Sequence, residues 1–336
     1  MRSGGLALKA VDIMVAGLML ATLVGPALGN DSTAALTNSG LVLTKNAAIE
    51  MKSENLYISD KAVRVKYTFV NTSPKDVTVT VAFPIPDVTS DGPEDVPSIP
   101  DPNSPNFLDF HTTVNGKPVQ ALIEQRAIKN GVDETARLAK LGLPVSPYFD
   151  ATDTALGRLS VAQQNQLIQQ GLAMLMSDPD SPGPRSLIGT WTLKTTFYWN
   201  QTFSAGKTIT IEHTYAPSVA GSAVLIEPPT TMIADLSQYC VDASFVAAVR
   251  KLIPAGETVP RGSPEYISYV LATGANWAAP IGDFQMVIDK GSPAALVSFC
   301  GAGVTKTGPT TFAVHYTNFT PKSNVSVLLL EPPGAN

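Results

Sequence analysis

Two cysteines, three histidines and one dense run of carboxylates carry most of the chemical reach of this 336-residue chain. Cys240 and Cys300 are its only cysteines, and they stand 60 positions apart. In an oxidising compartment such a pair is expected to bridge, and closing that loop contributes roughly 4 kcal/mol on the chain-entropy model. A nucleophilic thiol would need a nearby histidine, which the spacing does not supply. Zinc ligation is disfavoured because structural zinc sites use closely spaced cysteine pairs. His111, His213 and His315 each fall in an expected strand, 102 residues from the next. A three-histidine zinc site is conceivable, yet lone strand histidines are more commonly surface groups or satisfied core groups. Residues 84–109 hold seven prolines and six carboxylates (Asp87, Asp91, Glu94, Asp95, Asp101 and Asp109) with no basic residue. Calcium could use those oxygens, but the order of a calcium loop is missing, and proline with acid also marks a stiff, solvated connection. No Gly-x-Ser-x-Gly elbow, phosphate-binding loop, dinucleotide fingerprint or His-Glu-x-x-His occurs. No catalytic residue, metal ligand or cofactor is therefore assigned.

Asn276 and Trp277 are the candidates for ligand binding. A tryptophan in a loop rich in glycine and proline can stack on a sugar or an aromatic ring. It can equally plug the end of a sandwich with Pro280 and Ile281 beside it, and that packing role is the stronger expectation. Trp191 and Trp199 are core by parity, because Leu193 and Phe197 share their face.

The elements that must position these groups are strands. Val63, Val65, Tyr67 and Phe69 alternate with polar residues, and Val77, Val79, Val81 and Phe83 do so again after the turn Asn71-Thr72-Ser73-Pro74-Lys75. Asn115-Gly116 between two short apolar runs predicts a hairpin with a type I′ turn. Alternation resumes at Trp191 to Trp199, Ile209 to Ile211, Phe312 to Tyr316 and Val325 to Leu329. From Leu122 to Met176 the pattern reads as helical, with a capping box at Ser160 and Gln163. A further helix is expected over Ala243–Leu252, and another over Pro264–Ala272. The segment Leu225-Ile226-Glu227-Pro228-Pro229 echoes Leu329-Leu330-Glu331-Pro332-Pro333, so either duplicated modules or a shared strand-turn pattern fits. The fold class is mainly β: antiparallel β-sandwich module or modules with a short helical insertion, α+β overall. The expected division is a leader at 1–29, an N-terminal β region at 30–121 containing the acidic loop 84–109, a helical insertion at 122–186, and a C-terminal β region with the disulfide at 187–336.

Composition narrows the setting. Charged residues are only 15% of the chain against about 25% in an ordinary soluble domain, while hydrophobic residues are 44%. A net charge of −5 leaves no basic surface for nucleic acid. Arg2 and Lys9, the apolar stretch Ile13–Val24, and Ala27-Leu28-Gly29 read as an export signal, with a core of about 12 apolar residues that is too short to span a bilayer. Cleavage after Gly29 removes Arg2, Lys9 and Asp12, which leaves 307 residues at a net charge of −6. The chain is expected to be periplasmic or secreted, and not an integral membrane protein once the signal is cleaved.

One resemblance joins these features. The export signal followed by Asn30-Asp31-Ser32, the run from Gly40-Leu41-Val42 to Glu50-Met51, and Asn276-Trp277 with Pro280-Ile281-Gly282-Asp283-Phe284 together resemble an exported bacterial family catalogued as a domain of unknown function. The resemblance spans nearly the whole mature chain and implies a β-rich, extracytoplasmic protein with no assigned activity. The resulting expectation is a non-enzymatic binding or structural protein of the bacterial cell envelope, with an envelope polymer or protein as partner. The alternatives are a cell-envelope glycan or peptide hydrolase, or a calcium-dependent adhesive module.

Overall fold

The computed structural model describes residues 30–37, 40–92, 96–176, 185–221, 236–255 and 262–332. The leader at 1–29, the first copy of the echoed segment at 225–229, and Glu94 and Asp95 of the acidic loop lie outside the described residues. The architecture is mainly β, and the described strands form three larger sheets. The first runs Val132–Asp133, Leu122–Lys129, Thr192–Phe203, Val77–Pro84, Ser32–Thr37 and Gly40–Thr44, with Val88–Thr89 also on Thr192–Phe203. The second runs Thr305–Lys306, Thr311–Phe319, Ile281–Asp289, Ile49–Ile58, Val63–Asn71, Thr208–Tyr215, His111–Val114 and Lys117–Val119. The third runs Leu296–Phe299, Val325–Glu331, Ser263–Tyr269, Val219–Gly221 and Val96–Ser98. Each of these sheets takes strands from both 30–121 and 187–336. Among the described pairings only Ile281–Asp289 with Ile49–Ile58 is parallel.

Alternation accounts for the layers. Val63, Val65, Tyr67 and Phe69 are all buried, and they meet Phe83, Phe197, Trp199 and Phe203 of the first sheet and Ile267, Tyr269 and Val327 of the third in one apolar cluster. Rings cross between layers, with Phe69 at 6.0 Å from Phe203 and Phe110 stacked on Phe197 at 4.1 Å. Leu328 and Leu330 are buried too, because helix Ala243–Arg250 covers the other face of Val325–Glu331 through Phe245 and Val249.

Four segments expected to be helical are strands: Leu122–Lys129, Val132–Asp133, Ala173–Leu175 and Ser263–Tyr269. Leu122–Lys129 pairs with Thr192–Phe203 from Leu122↔Tyr198 to Ile128↔Thr192. Its Leu, Glu, Gln, Arg and Ala residues favour a helix by only tenths of a kcal/mol each, which the ladder and the burial of Ala127 override. Ser263–Tyr269 likewise pairs with Val325–Glu331 and buries Ile267 and Tyr269 on one face. The helices of the insertion are Thr135–Lys140, Asp150–Arg158 and Val161–Gln169, the last opened by the Ser160–Gln163 capping box. They close over the first sheet with Leu138, Leu156 and Leu167 around Trp191, whose indole N–H donates to the Val145 carbonyl at 2.7 Å. The Asn115-Gly116 turn has positive φ at both positions, 50° and 74°, as a type I′ turn requires.

The turn at 71–75 joins strands of different sheets and so forms an arch between layers. Asn71 is fully buried at its start. Its amide donates to the carbonyls of Lys75 at 2.8 Å and Phe203 at 2.7 Å, and its side-chain oxygen accepts from the Ser73 N–H and hydroxyl. Losing that side chain strands buried partners, each costing about 1–3 kcal/mol. Asn71→Ala is therefore expected to lower the unfolding free energy by about 2–4 kcal/mol in a urea titration. A midpoint equal to wild type would show that the flanking strands alone hold the arch.

Candidate functional site

Polar chemistry is concentrated in two places, one sealed and one open. The sealed cluster begins at Asn30 and Asp31, which are fully buried immediately before strand Ser32–Thr37. Asp31 Oδ1 lies 3.1 Å from His213 Nε2, with both side chains closed to solvent. Asn30 Nδ2 donates to Glu54 Oε2 at 2.8 Å, Tyr269 donates to Glu54 Oε1 at 3.3 Å, and the Tyr67 and Tyr269 hydroxyls are 2.9 Å apart. Burial pushes the Glu54 carboxyl up to about 8, against the opposing hydrogen bonds from Asn30 and Tyr269. Burial also raises Asp31, opposed by the charge of His213.

Asn276 and Trp277, the residues expected to contact ligand, sit beside this cluster and hold the N-terminal strand. Trp277 is 5% exposed, so it offers no open ring face; its indole N–H donates to the Asp31 carbonyl at 2.7 Å and its ring lies 4.6 Å from Phe69. Asn276 donates to the Ser32 hydroxyl at 3.0 Å. Sequence reasoning did not single out Glu54, Asp31 or His213 as one group. His213 shares parity with the buried Ile209, Ile211 and Tyr215, which placed it on the core face. Glu54 reaches that face because a bulge between Met51 and Ser53 shifts the register of Ile49–Ile58.

The open site is a groove of about 500 Å³ beside the disulfide. Cys240 and Cys300 are bridged, with Cα atoms 5.0 Å apart, which ties the short helical turn Leu236–Tyr239 to the end of strand Leu296–Phe299. The Ser298 hydroxyl donates to the Tyr239 carbonyl at 2.9 Å and reinforces the junction. Helix Ala243–Arg250 forms one wall. Asp242 caps it by accepting the Phe245 N–H at 2.8 Å, a bond that, with one from the Ser244 hydroxyl, holds its carboxyl below the usual range. Phe245, Ala248, Leu296, Val297, Phe299 and Phe312 line it together with Asp242, Ser244, Lys290 and Ser298, so its surface is about as polar as it is apolar. Lys290 stands at the rim and donates to the Pro293 carbonyl at 2.7 Å, and partial burial pulls its ammonium below the ordinary lysine range. Beyond Lys290 lies a charged depression of about 330 Å³ with Asp60, Lys61, Glu265 and Glu331.

The remaining candidates are dispersed. His111 pairs with Asp109 at 3.0 Å, and His315 pairs with Asp283 at 2.5 Å on an exposed face. No group of three or more metal-ligating side chains occurs among the described residues. In the acidic loop, Asp87 pairs with Lys194 at 2.9 Å and Asp91 with Lys129 at 3.5 Å.

A family model described as Domain of unknown function (DUF4424) matches residues 29–328. A solved structure from Legionella pneumophila, named a "putative nutrient binding protein", is 16% identical over 90% of this chain and 70% of that one, at a TM-score of 0.43. No curated protein sequence matches the chain.

The raised carboxyl has a consequence for stability. Glu54 binds its proton in the folded state up to about pH 8, whereas in the unfolded chain it releases it near the ordinary glutamate value of 4.5. The stabilising contribution is complete below the lower value and is lost as pH rises towards the upper one, at about 1.4 kcal/mol per pH unit for one proton. Urea midpoints of the full chain should fall between pH 5 and pH 8, and Glu54→Gln should flatten that decline. An equally steep decline in the variant would assign it to another group.

Proposed function

The chain belongs to the family described as Domain of unknown function (DUF4424), and from its groove rather than from that membership we propose that it is an exported, non-enzymatic binding protein of the bacterial cell envelope. The observation that carries the reading is the groove of about 500 Å³ between helix Ala243–Arg250 and strand Leu296–Phe299. Its size and lining suit a compact ligand: apolar groups from Phe245, Val297, Phe299 and Phe312 share the surface about equally with polar groups, among them Asp242, Ser244 and Lys290. The ligand it suits is an amphiphile with an apolar body and a polar head.

Export is supported by the leader pattern in 1–29 and by the disulfide, a bond that persists in oxidising compartments. No helix among the described residues is long and apolar enough to cross a membrane. A non-catalytic role is supported by the division of polar chemistry. The Asp31–His213 pair is closed to solvent, and the groove's polar groups are committed to a helix cap and to backbone carbonyls.

Filling the groove tests the proposal. Ala248 is half-buried on the wall-forming helix, so Ala248→Trp places a ring in the cavity while keeping a helix-compatible residue. Wild-type protein should bind anilinonaphthalene sulfonate saturably under native conditions, and the variant should bind it about tenfold or more weakly at an unchanged melting temperature. Absence of saturable binding, or equal affinity in a folded variant, would sink the assignment of the groove.

A further inference from the structure

Several polar atoms of the sealed cluster lack a partner. Asn30 Oδ1 and Asp31 Oδ2 are buried without a hydrogen-bond partner, and His213 Nδ1 and the Tyr215 hydroxyl are likewise unpaired. The titratable groups packed around the cluster are Asp31, Glu54, His213, Tyr67, Tyr269 and Tyr215. Asp31 has the imidazole of His213 beside it, Glu54 has Asn30 and Tyr269, and no lysine or arginine is among these groups. Leaving buried acceptors unsatisfied is expensive, so a donor with more than one N–H at this place would be stabilising.

The backbone nitrogen of Asn30 is already in place to be that donor. It donates to Thr273 Oγ1, and the Thr273 hydroxyl donates in turn to the Asn30 carbonyl at 2.8 Å. The turn Ala272–Asn276 closes tightly over it, since a Cβ added at Gly274 would lie 2.8 Å from Asn30 Nδ2. Glu54 is one asparagine side chain away, bonded to that same Nδ2. The leader pattern ending at Ala27-Leu28-Gly29 puts its cleavage point at this nitrogen.

We propose that the α-ammonium of Asn30, released when the leader is removed, is a buried structural cation that pairs with Glu54 and is held by Thr273. The inference rests on the export reading above. The step is hydrolysis of the Gly29–Asn30 amide by water on a leader peptidase. Water's oxygen joins the Gly29 carbonyl carbon, the C–N bond breaks, Gly29 departs as a carboxylate, and the Asn30 nitrogen gains protons to become an ammonium. One uncharged N–H becomes a charged group with three donors, one for Thr273 and two beyond what the amide provides. Processing then completes the core as well as freeing the protein, and a chain with any residue ahead of Asn30 keeps Glu54 without its counter-charge.

Two measurements separate this inference from the export reading. Mass spectrometry of the protein recovered from the envelope fraction of an exporting bacterium should show Asn30 as the first residue. A leader left uncut in the cytoplasm overturns both the export reading and the inference; an exported protein with another first residue overturns the inference alone. The second measurement uses the chain starting at Asn30, released from a fusion by a protease that leaves no extra residue, beside the same chain carrying an added Gly-Ser. In the first chain the α-amine should react with an acylating reagent about a hundredfold more slowly in the native state than in urea. The Gly-Ser extension should lower the urea midpoint in wild type and lower it much less in Glu54→Gln. A native amine as reactive as the unfolded one, or an extension with equal cost in both backgrounds, overturns the ion pair even when Asn30 is the natural first residue.

Discussion

The contact between Asp31 and His213, 3.1 Å apart and wholly closed to solvent, sets the terms for much of the core around it. It brings together the first described residues of the chain and a strand of the second sheet more than half the sequence away. Buried charge pairs seldom raise net stability, because desolvation consumes most of the Coulombic gain. What this pair provides is register. A strand that pairs one residue out of step turns every side chain to the opposite face, and here such a slip would carry Asp31 away from the His213 imidazole. Trp277, Asn276 and Thr273 bind the same short stretch through its backbone or through Ser32, so strand Ser32–Thr37 is fixed at its start by the turn Ala272–Asn276 and Trp277 beyond it. The first and second sheets are thereby locked to each other by polar contacts within an otherwise apolar interior.

The alternating strands were legible because each buries one face: Val63 to Phe69 and Leu193 to Trp199 lie inward as their parity requires. The capping box at Ser160 and the disulfide were equally legible, since both depend on residue identity at short or unique spacing. Leu122–Lys129 and Ser263–Tyr269 were not, because their local composition is ambiguous and the deciding term is pairing with distant strands. Asn71 illustrates the same limit. The turn was visible, but whether it returns within one sheet or crosses to another depends on where Phe203 lies, 132 residues further on.

The cluster shows what hides a site from sequence reading. Glu54 sits in a strand with polar residues on both sides, and only the bulge after Met51 turns it inward. Bulges of this kind shift one side chain without leaving a local signature such as glycine or proline. His213 carried a clearer sign in its parity with Ile211 and Tyr215, although parity alone does not reveal the partner. Trp277 was ambiguous between platform and plug. Its contacts with Phe69 and Phe203 seat it in the core, where its indole N–H serves the Asp31 carbonyl.

The two polar regions divide the work of the molecule. Interior carboxylates and an imidazole could in principle do acid–base chemistry, but chemistry needs access, and the rings of Tyr67, Phe83, Phe110 and Trp199 all crowd His213 at 4.7–5.7 Å. Such packing suits a structural role, in which exclusion of water strengthens each hydrogen bond and penalises every mispairing. The groove has the opposite character. Its wall helix is short, its lining mixes half-buried apolar groups with polar ones, and its geometry is anchored at one end by a disulfide and the Ser298 hydroxyl. Polar precision therefore orders the core, where Asp31 and His213 are sealed, while the disulfide and the Ser298 bond fix the groove's walls from one end.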